Sequence, residues 1–246
     1  MAHFFLDETL RAADCVPGAV VTIGGAEARH AVTVSRVRPG EKLLVGDGAG
    51  LMLGVSVVGA DAARLSLRVD TVTVSARLTP RIRLVQALAK GDRDELAVQA
   101  ATELGIDGVI PWAAARSVTR WEGPKIAKGQ ERWSNIVREA SKQSIRPWLP
   151  EVAALASTKS LAALAGSTRM LLLEPGATFR LTEVPVPTDD RDIVLVVGPE
   201  GGIAPAELTA LEQAGATRVR LGETVLRTST AGPAALAILN ATLGRW

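Results

Sequence analysis

Two stretches near the end of this chain hold residues whose types and spacing suit chemistry: "GPEGG" at 198–202 and "LGETVLRTSTA" at 221–231. A glycine-rich turn after an apolar run can be a phosphate cradle, a dinucleotide turn, or a place where another ligand lies on bare backbone. A P-loop needs a lysine directly after its last glycine to reach the terminal phosphates, and none follows Gly202. A dinucleotide fingerprint needs Gly-x-Gly-x-x-Gly in the first βαβ unit, whereas this turn has other spacing and comes late. What remains is a stiff, side-chain-poor turn that lets a flat, mostly uncharged ligand approach backbone amides. A plain strand-to-helix connection is the competing reading of that turn alone. The second stretch adds Glu223, Arg227, Thr228, Ser229 and Thr230, and "LLLEPGA" at 171–177 adds a third glycine- and proline-bearing turn. If the strands before them are parallel, all three turns meet at the carboxyl edge of one sheet, where ligands of open parallel sheets bind.

The elements that must position these turns are legible as pattern. "RIRLVQAL", "DGVIPW", "TRMLLLEP", "DIVLVVGP" and "TRVRLG" are predicted strands, and the continuous apolar runs among them indicate an α/β fold with a parallel sheet buried on both faces. Helices are predicted between them. "DRDELAVQAATELG" offers Asp92 as a cap, Glu95 three residues on, and Gly105 as its stop. "APAELTALEQAG" has Pro205 at its first position, but its N-cap is Ala204, so another group must satisfy the free N–H groups there. "GPAALAILNATLG" is nearly all apolar, which suits a buried or dimer-forming helix. Upstream, "AVVTIGG", "EKLLVGDGAG", "LMLGVSVVG" and "ARLSLRVDTVTV" are short β-branched runs punctuated by turns, with "GDGAG" reading as a hairpin. The predicted organisation is a small β-domain over residues 1–75 and a larger α/β domain over 76–246.

Composition narrows the function classes. A chain of 246 residues with 47% apolar and 22% charged side chains is an ordinary globular sequence. Its apolar runs are too short for a bilayer span, and "MAHFFLDETLRAAD" lacks the apolar region of a secretory signal, which points to the cytosol. Cys15 is the only cysteine, and the two histidines, His3 and His30, are far apart in sequence, so no metal site is expected. Net charge is +2, yet residues 81–150 hold 12 basic against 8 acidic side chains, which suits a polyanion-facing surface and equally a normally solvated Arg-rich one. The absence of tyrosine removes an aromatic stacking platform for RNA.

"KGDRDELAVQAATELGIDGVIPW", "RWSNIVREASKQSIRPWLPEV", "LVVGPEGG" and "LGETVLRTSTA" together resemble the RsmE family, bacterial methyltransferases of the SPOUT class that methylate N3 of a uridine in 16S ribosomal RNA of the small subunit. "HFFLD" and "RHAVTVSRVRPGEKLLVGDGAG" resemble that family's N-terminal PUA-like β-barrel, so the likeness extends over nearly the whole chain. The resemblance implies a SPOUT-type sheet with a C-terminal trefoil knot, S-adenosylmethionine (SAM) as methyl donor, and a homodimer acting on the small ribosomal subunit. It implies cofactor contacts from Leu173, Glu174, Gly198, Gly202, Leu221, Gly222, Leu226 and Thr228. Two departures stand out: Ser229 where the family often has Glu, and Ala204 where it often has Ser or Thr.

Methylation of a uracil nitrogen is an in-line displacement that removes the N3 proton and spreads negative charge onto O2 and O4. Arg227 is the expected stabiliser of that charge, with Glu200 or a water as proton acceptor. Arg138, Lys142 and Arg146 are spaced to share one helical face; with Lys90, Arg93, Arg36 and Arg38 they are the expected RNA contacts, and His30 is a weaker one. Trp112, Trp121 and Trp133 are candidates for stacking a flipped base, against packing in the core. Three rivals stay open: a SPOUT methyltransferase acting on a ribose 2′-OH or a guanine, a non-catalytic RNA-binding protein, and an NAD-dependent oxidoreductase, the last opposed by motif spacing.

Overall fold

Strict alternation builds the first sheet. In Val20–Gly24 (β2) and Arg64–Val74 (β5), every second side chain near the pairing zone is buried, and Val21, Ile23, Leu65, Leu67 and Val69 enter a core with Phe5, Val45, Leu53 and Val55. Each fully buried Leu, Ile or Phe there contributes about 1.5–3 kcal/mol through removal of apolar surface from water. With Phe4–Leu6 (β1), Lys42–Gly46 (β3) and Leu51–Ala60 (β4), these strands form a five-stranded sheet in the order β1-β3-β4-β5-β2, in which only the β1–β3 pair is parallel. The β3–β4 hairpin turns at residues 47–50 as the sequence predicts. Gly48 and Gly50 adopt positive φ, and the Asp47 carboxylate accepts the N–H groups of Ala49 and Leu51. A short helix, Gly25–Arg29 (α1), follows β2 and was not anticipated.

The computed structural model describes residues 3–61, 63–185 and 189–246. Its chain divides into two units, Met1–Arg77 with Ser141–Leu149, and Leu78–Ala140 with Pro150–Trp246. The segment 141–149 joins the first unit through backbone bonds that its own sequence does not announce. Leu149 donates to the Gly48 carbonyl, Gly50 donates to that of Pro147, the Trp148 indole N–H donates to Ser75, and the Arg77 guanidinium lies 4.5 Å from the Trp148 ring centroid.

The second unit holds six parallel strands: Ile82–Ala87 (β6), Gly108–Trp112 (β7), Glu151–Val152 (β8), Arg169–Leu173 (β9), Ile193–Val197 (β10) and Thr217–Val219 (β11), in the order β11-β9-β10-β6-β7-β8. The residues of β7 and β10 are all buried, as expected of a sheet covered on both faces. One face packs Val85, Met170, Leu172, Val194 and Val196 against Thr158–Ala165 (α4) and Pro205–Gln213 (α5). On the other, Arg93–Glu103 (α2) and Thr228–Thr242 (α6) pack together and against β6. Between β7 and β8 the chain forms Pro124–Gln143 (α3), whose last residues fall in the segment assigned to the first unit.

Two helix starts differ from expectation. Asp92 sits in the left-handed region (φ 57°) and makes no capping bond; it and Glu95 pair instead with Arg132 of α3, at 3.5 and 2.7 Å. The predicted Asp92–Glu95 capping box therefore does not form. At α5, Pro205 at the first position has no N–H, and the buried Glu207 carboxylate reaches back to the Ala204 N–H at 3.2 Å. Glu207 also accepts from Ala115 N–H and the Thr158 hydroxyl, tying this helix start to the loop after β7.

Candidate functional site

Register places the site. Val197 of β10 pairs with Leu173 of β9 and Gln86 of β6, and Val219 of β11 pairs with the same Leu173. Three neighbouring parallel strands thus end level, and the turns after them, 174–177, 198–204 and 220–227, surround one cavity of about 510 Å³. All eight residues expected to hold a cofactor line it: Leu173, Glu174, Gly198, Gly202, Leu221, Gly222, Leu226 and Thr228. Glu200, Arg93 and Arg227 line it too.

The glycine turn is shaped by close approach and by sign of φ. A Cβ on Gly198 would fall 2.7 Å from Ile203 Cγ1 and 3.0 Å from the Ile203 nitrogen, and Gly202 has φ +70°. The Gly202 N–H closes the turn on the Pro199 carbonyl at 2.9 Å. Its backbone is therefore open to the cavity for a steric reason and not by composition alone.

Glu200 is held and not free. Its carboxylate accepts the Lys90 N–H at 3.0 Å and the Arg93 guanidinium at 3.1 Å. Burial pushes its pKa up, but its own N–H, the Lys90 N–H and the Arg93 charge outweigh that and hold it below the usual glutamate range. The stabilisation from this lowered pKa is present above the pH at which an unfolded glutamate titrates, and it fades as pH falls through the lower folded value. A carboxylate so stabilised is a weak base, so Glu200 is better suited to fastening the turn to the α2 loop than to taking a proton.

Arg227 differs. It is the N-cap residue of α6, its main-chain carbonyl accepts the N–H groups of Thr230 and Ala231, and its exposed guanidinium makes no hydrogen bond or ion pair among the described residues. Thr228 lines the cavity, yet its hydroxyl is committed on both sides: it accepts from Gln86 Nε2 and donates to the Gly198 carbonyl, each at 2.8 Å. Glu223 pairs with Arg220 and Arg180, at 3.3 and 3.8 Å.

The expected RNA contacts are divided between the two units. Arg36 and Arg38 are exposed in the first unit, while Lys90 is exposed in the second. Arg93 is committed to Glu200. The shared face of Arg138, Lys142 and Arg146 is corrected by the structure, because α3 ends at Gln143 and Ile145 turns to φ 53°, so Arg146 lies off the helix. Lys142 is 7% exposed and sits 3.2 Å from Glu27 of α1, within the first unit, which withdraws it from any phosphate. His30 is half-buried with its ring edge-on to Phe5. Trp112 and Trp133 are fully buried, so neither can stack a base, and Trp121 packs edge-to-face on Trp133.

Two residues at this edge escaped the sequence reading. Arg116, in the loop after β7, donates to the Gly201 carbonyl at 2.9 Å and covers the outside of the glycine turn. Gln86 is the single uncharged polar side chain of β6, and such a residue within the buried run at the strand's carboxyl end is a usable signal. Among the described residues no cluster of His, Cys, Asp or Glu is placed to hold a metal, and no helix is long and apolar enough to cross a membrane.

Comparison with known proteins agrees with this geometry. The RNA methyltransferase domain family matches residues 77–240. Ribosomal RNA small subunit methyltransferase E of Mycobacterium bovis is 43% identical over 234 residues, covering 93% of this chain and 89% of that one. The Bacillus subtilis protein of the same name is 28% identical, covering 98% and 96%. The crystal structure of ribosomal RNA small subunit methyltransferase E from Neisseria gonorrhoeae, bound to S-adenosyl methionine, superposes with a TM-score of 0.85 at 27% identity, covering 98% of both chains. A cavity ringed by the turns of three parallel strands, in a chain matched along nearly its whole length, places this protein in the ribosomal RNA small subunit methyltransferase E family of RNA methyltransferases.

Proposed function

We propose that this protein is a SAM-dependent methyltransferase that methylates N3 of a uridine in 16S ribosomal RNA. The observation that carries the reading is the convergence of Arg227, unpaired among the described residues, with eight cofactor-suited residues on one cavity. Its volume lies in the range of small-molecule sites, roughly 300–1,000 Å³. The donor set fits SAM, which has no phosphate. Gly198, Gly202 and Gly222 leave backbone open to it, Leu173, Leu221 and Leu226 offer apolar surface to a flat base, and the Glu174 carboxylate, unpaired among the described residues, suits a cationic ligand.

Bound SAM supplies an electrophilic methyl group on a sulfonium centre. The chain's own part is to hold the acceptor in line and to meet the charge that develops on the uracil oxygens. Arg227 does the second, because its guanidinium stands on the cavity wall and makes no ion pair among the described residues. The N3 proton leaves to water, since the two donors on Glu200 Oε1 favour its charged form and leave it a weak base. Glu200→Gln is accordingly expected to keep at least about a tenth of wild-type turnover, whereas loss of a general base lowers rate by about 10²–10⁴-fold. A single-turnover assay on small subunits decides between the two roles.

In this reading the first unit is the family's PUA-like RNA-binding barrel, the turns around the cavity belong to its trefoil knot, and the protein acts as a homodimer in the cytoplasm. Arg36, Arg38, Lys90, Arg138 and Arg146 remain the proposed phosphate contacts. Mass spectrometry of ribosomal RNA nucleosides from cells lacking this gene tests the whole reading. N3-methyluridine is expected to vanish from 16S RNA and to return with the wild-type gene; its undiminished presence would overturn the proposal, and a different missing nucleoside would reassign the acceptor.

A further inference from the structure

Gln86 is fully buried at the carboxyl end of β6, and its amide is only partly satisfied. Nε2 donates to the Ala87 carbonyl at 3.1 Å and to Thr228 Oγ1 at 2.8 Å, while Oε1 is buried with no partner. A buried orphan acceptor is rare enough in folded proteins to ask for a reason. An apolar side chain would fill this place in the strand without leaving one, so the core gains nothing from the amide. The amide instead acts on Thr228. A hydroxyl that has accepted one hydrogen bond still has a single proton to place, and here that proton goes to the Gly198 carbonyl at 2.8 Å.

The three residues belong to different parts of the site. Gln86 is on the central strand, Gly198 opens the glycine turn, and Thr228 is the first residue of α6, next to Arg227. The same side of β6 receives α6 closely: a Cβ on Gly232 would fall 2.9 Å from Leu84 Cδ1. Leu84 therefore sets how near the helix lies, and the Gln86 amide sets where its first turn begins.

We propose that Gln86 is a positioning residue which, through the Thr228 hydroxyl, fixes the glycine turn and Arg227 relative to each other. It touches no ligand. It makes the wall that receives the cofactor and the cation that faces the acceptor into one unit, and the proposal rests on the roles given to that wall and to Arg227 above. Thr228, expected from the sequence to bind cofactor, serves as the link between the two.

The test uses the full chain with Gln86→Met, which keeps length and apolar fit, and Thr228→Val, which keeps shape without the hydroxyl. Q86M is expected to melt at or near the wild-type temperature. Its kcat at saturating SAM and small subunit is expected to fall on the order of 10- to 100-fold, the effect of small misplacement at a reacting centre. Amide hydrogen exchange, which needs no turnover, is expected to speed up together in residues 200–203 and 228–231. T228V should reproduce both effects, Thr228→Ser should restore most of what T228V loses, and the double variant should be no worse than the poorer single one. Wild-type kcat and exchange in a folded Q86M, or additive losses in the double variant, would overturn the proposal. Should Q86M fail to fold, T228V and T228S carry the same comparison. If wild-type protein does not methylate uridine, it is the assigned reaction that fails, and the paired exchange response still decides the link.

Discussion

Replacing Arg227 by alanine is expected to lower methyl transfer by about 10²–10³-fold, the usual loss when one preorganised donor to a developing anion is removed. SAM binding should remain measurable. The reason is the division of labour within this residue. Its main chain caps α6 by accepting the Thr230 and Ala231 N–H groups at 2.9 and 3.0 Å, and alanine preserves that. Its exposed guanidinium has no partner among the described residues, so its removal breaks no ion pair there. Truncation is therefore expected to leave the melting temperature nearly unchanged while single-turnover methylation of small subunits collapses. Arg227→Lys restores charge without the planar fork and should recover only part of the rate. Wild-type turnover in R227A, or a parallel loss of SAM affinity in calorimetry, would sink the assigned role.

Gly198→Ala is expected to remove most SAM affinity, at least about tenfold, with an overpacking penalty of about 1–3 kcal/mol in stability. The added methyl would meet Ile203 Cγ1 at 2.7 Å and its nitrogen at 3.0 Å. Ile203 is itself 4% exposed and packed in the sheet-face core, so it has no room to withdraw. The turn must open instead, and with it the wall that faces the ligand. Gly202→Ala is the useful contrast: a Cβ there meets nothing within 4 Å, and its penalty comes from φ +70° alone, about 1 kcal/mol. Calorimetric titration with SAM and thermal unfolding of both variants separate clash from backbone preference. Equal affinity in G198A and wild type would mean that this turn does not form the binding wall.

The part of this molecule legible in the sequence is the part written in contiguous residues. β7, β9 and β10 are marked by apolar runs and β6 and β11 by shorter mixed ones, and once they are parallel their following turns must meet at one edge. The cavity and its lining follow from that. What escaped depends on partners far along the chain. Nothing local to Lys142 shows that Glu27 will bury beside it, and nothing in "DRDE" shows that Arg132 will draw both Asp92 and Glu95 away from a capping box. The helical spacing of Arg138, Lys142 and Arg146 was sound arithmetic, defeated by a left-handed residue at Ile145. β8 is two residues long, too short for any periodicity. Glu200 was found but its role was open until Lys90 and Arg93 were seen to surround it.

The segment 141–149 has a consequence for how such a protein is inherited. Because Leu149 and Pro147 complete the hydrogen bonding of the Gly48–Gly50 hairpin, the first unit is encoded in two separate stretches with most of α3 between them. A recombination breakpoint near residue 77 would deliver a sheet with its hairpin amide and carbonyl left open, and a recipient lacking residues 141–149 could not close them. Neither unit is one contiguous block of sequence, so a chimera that takes the first unit must carry residues 141–149 along with the first 77.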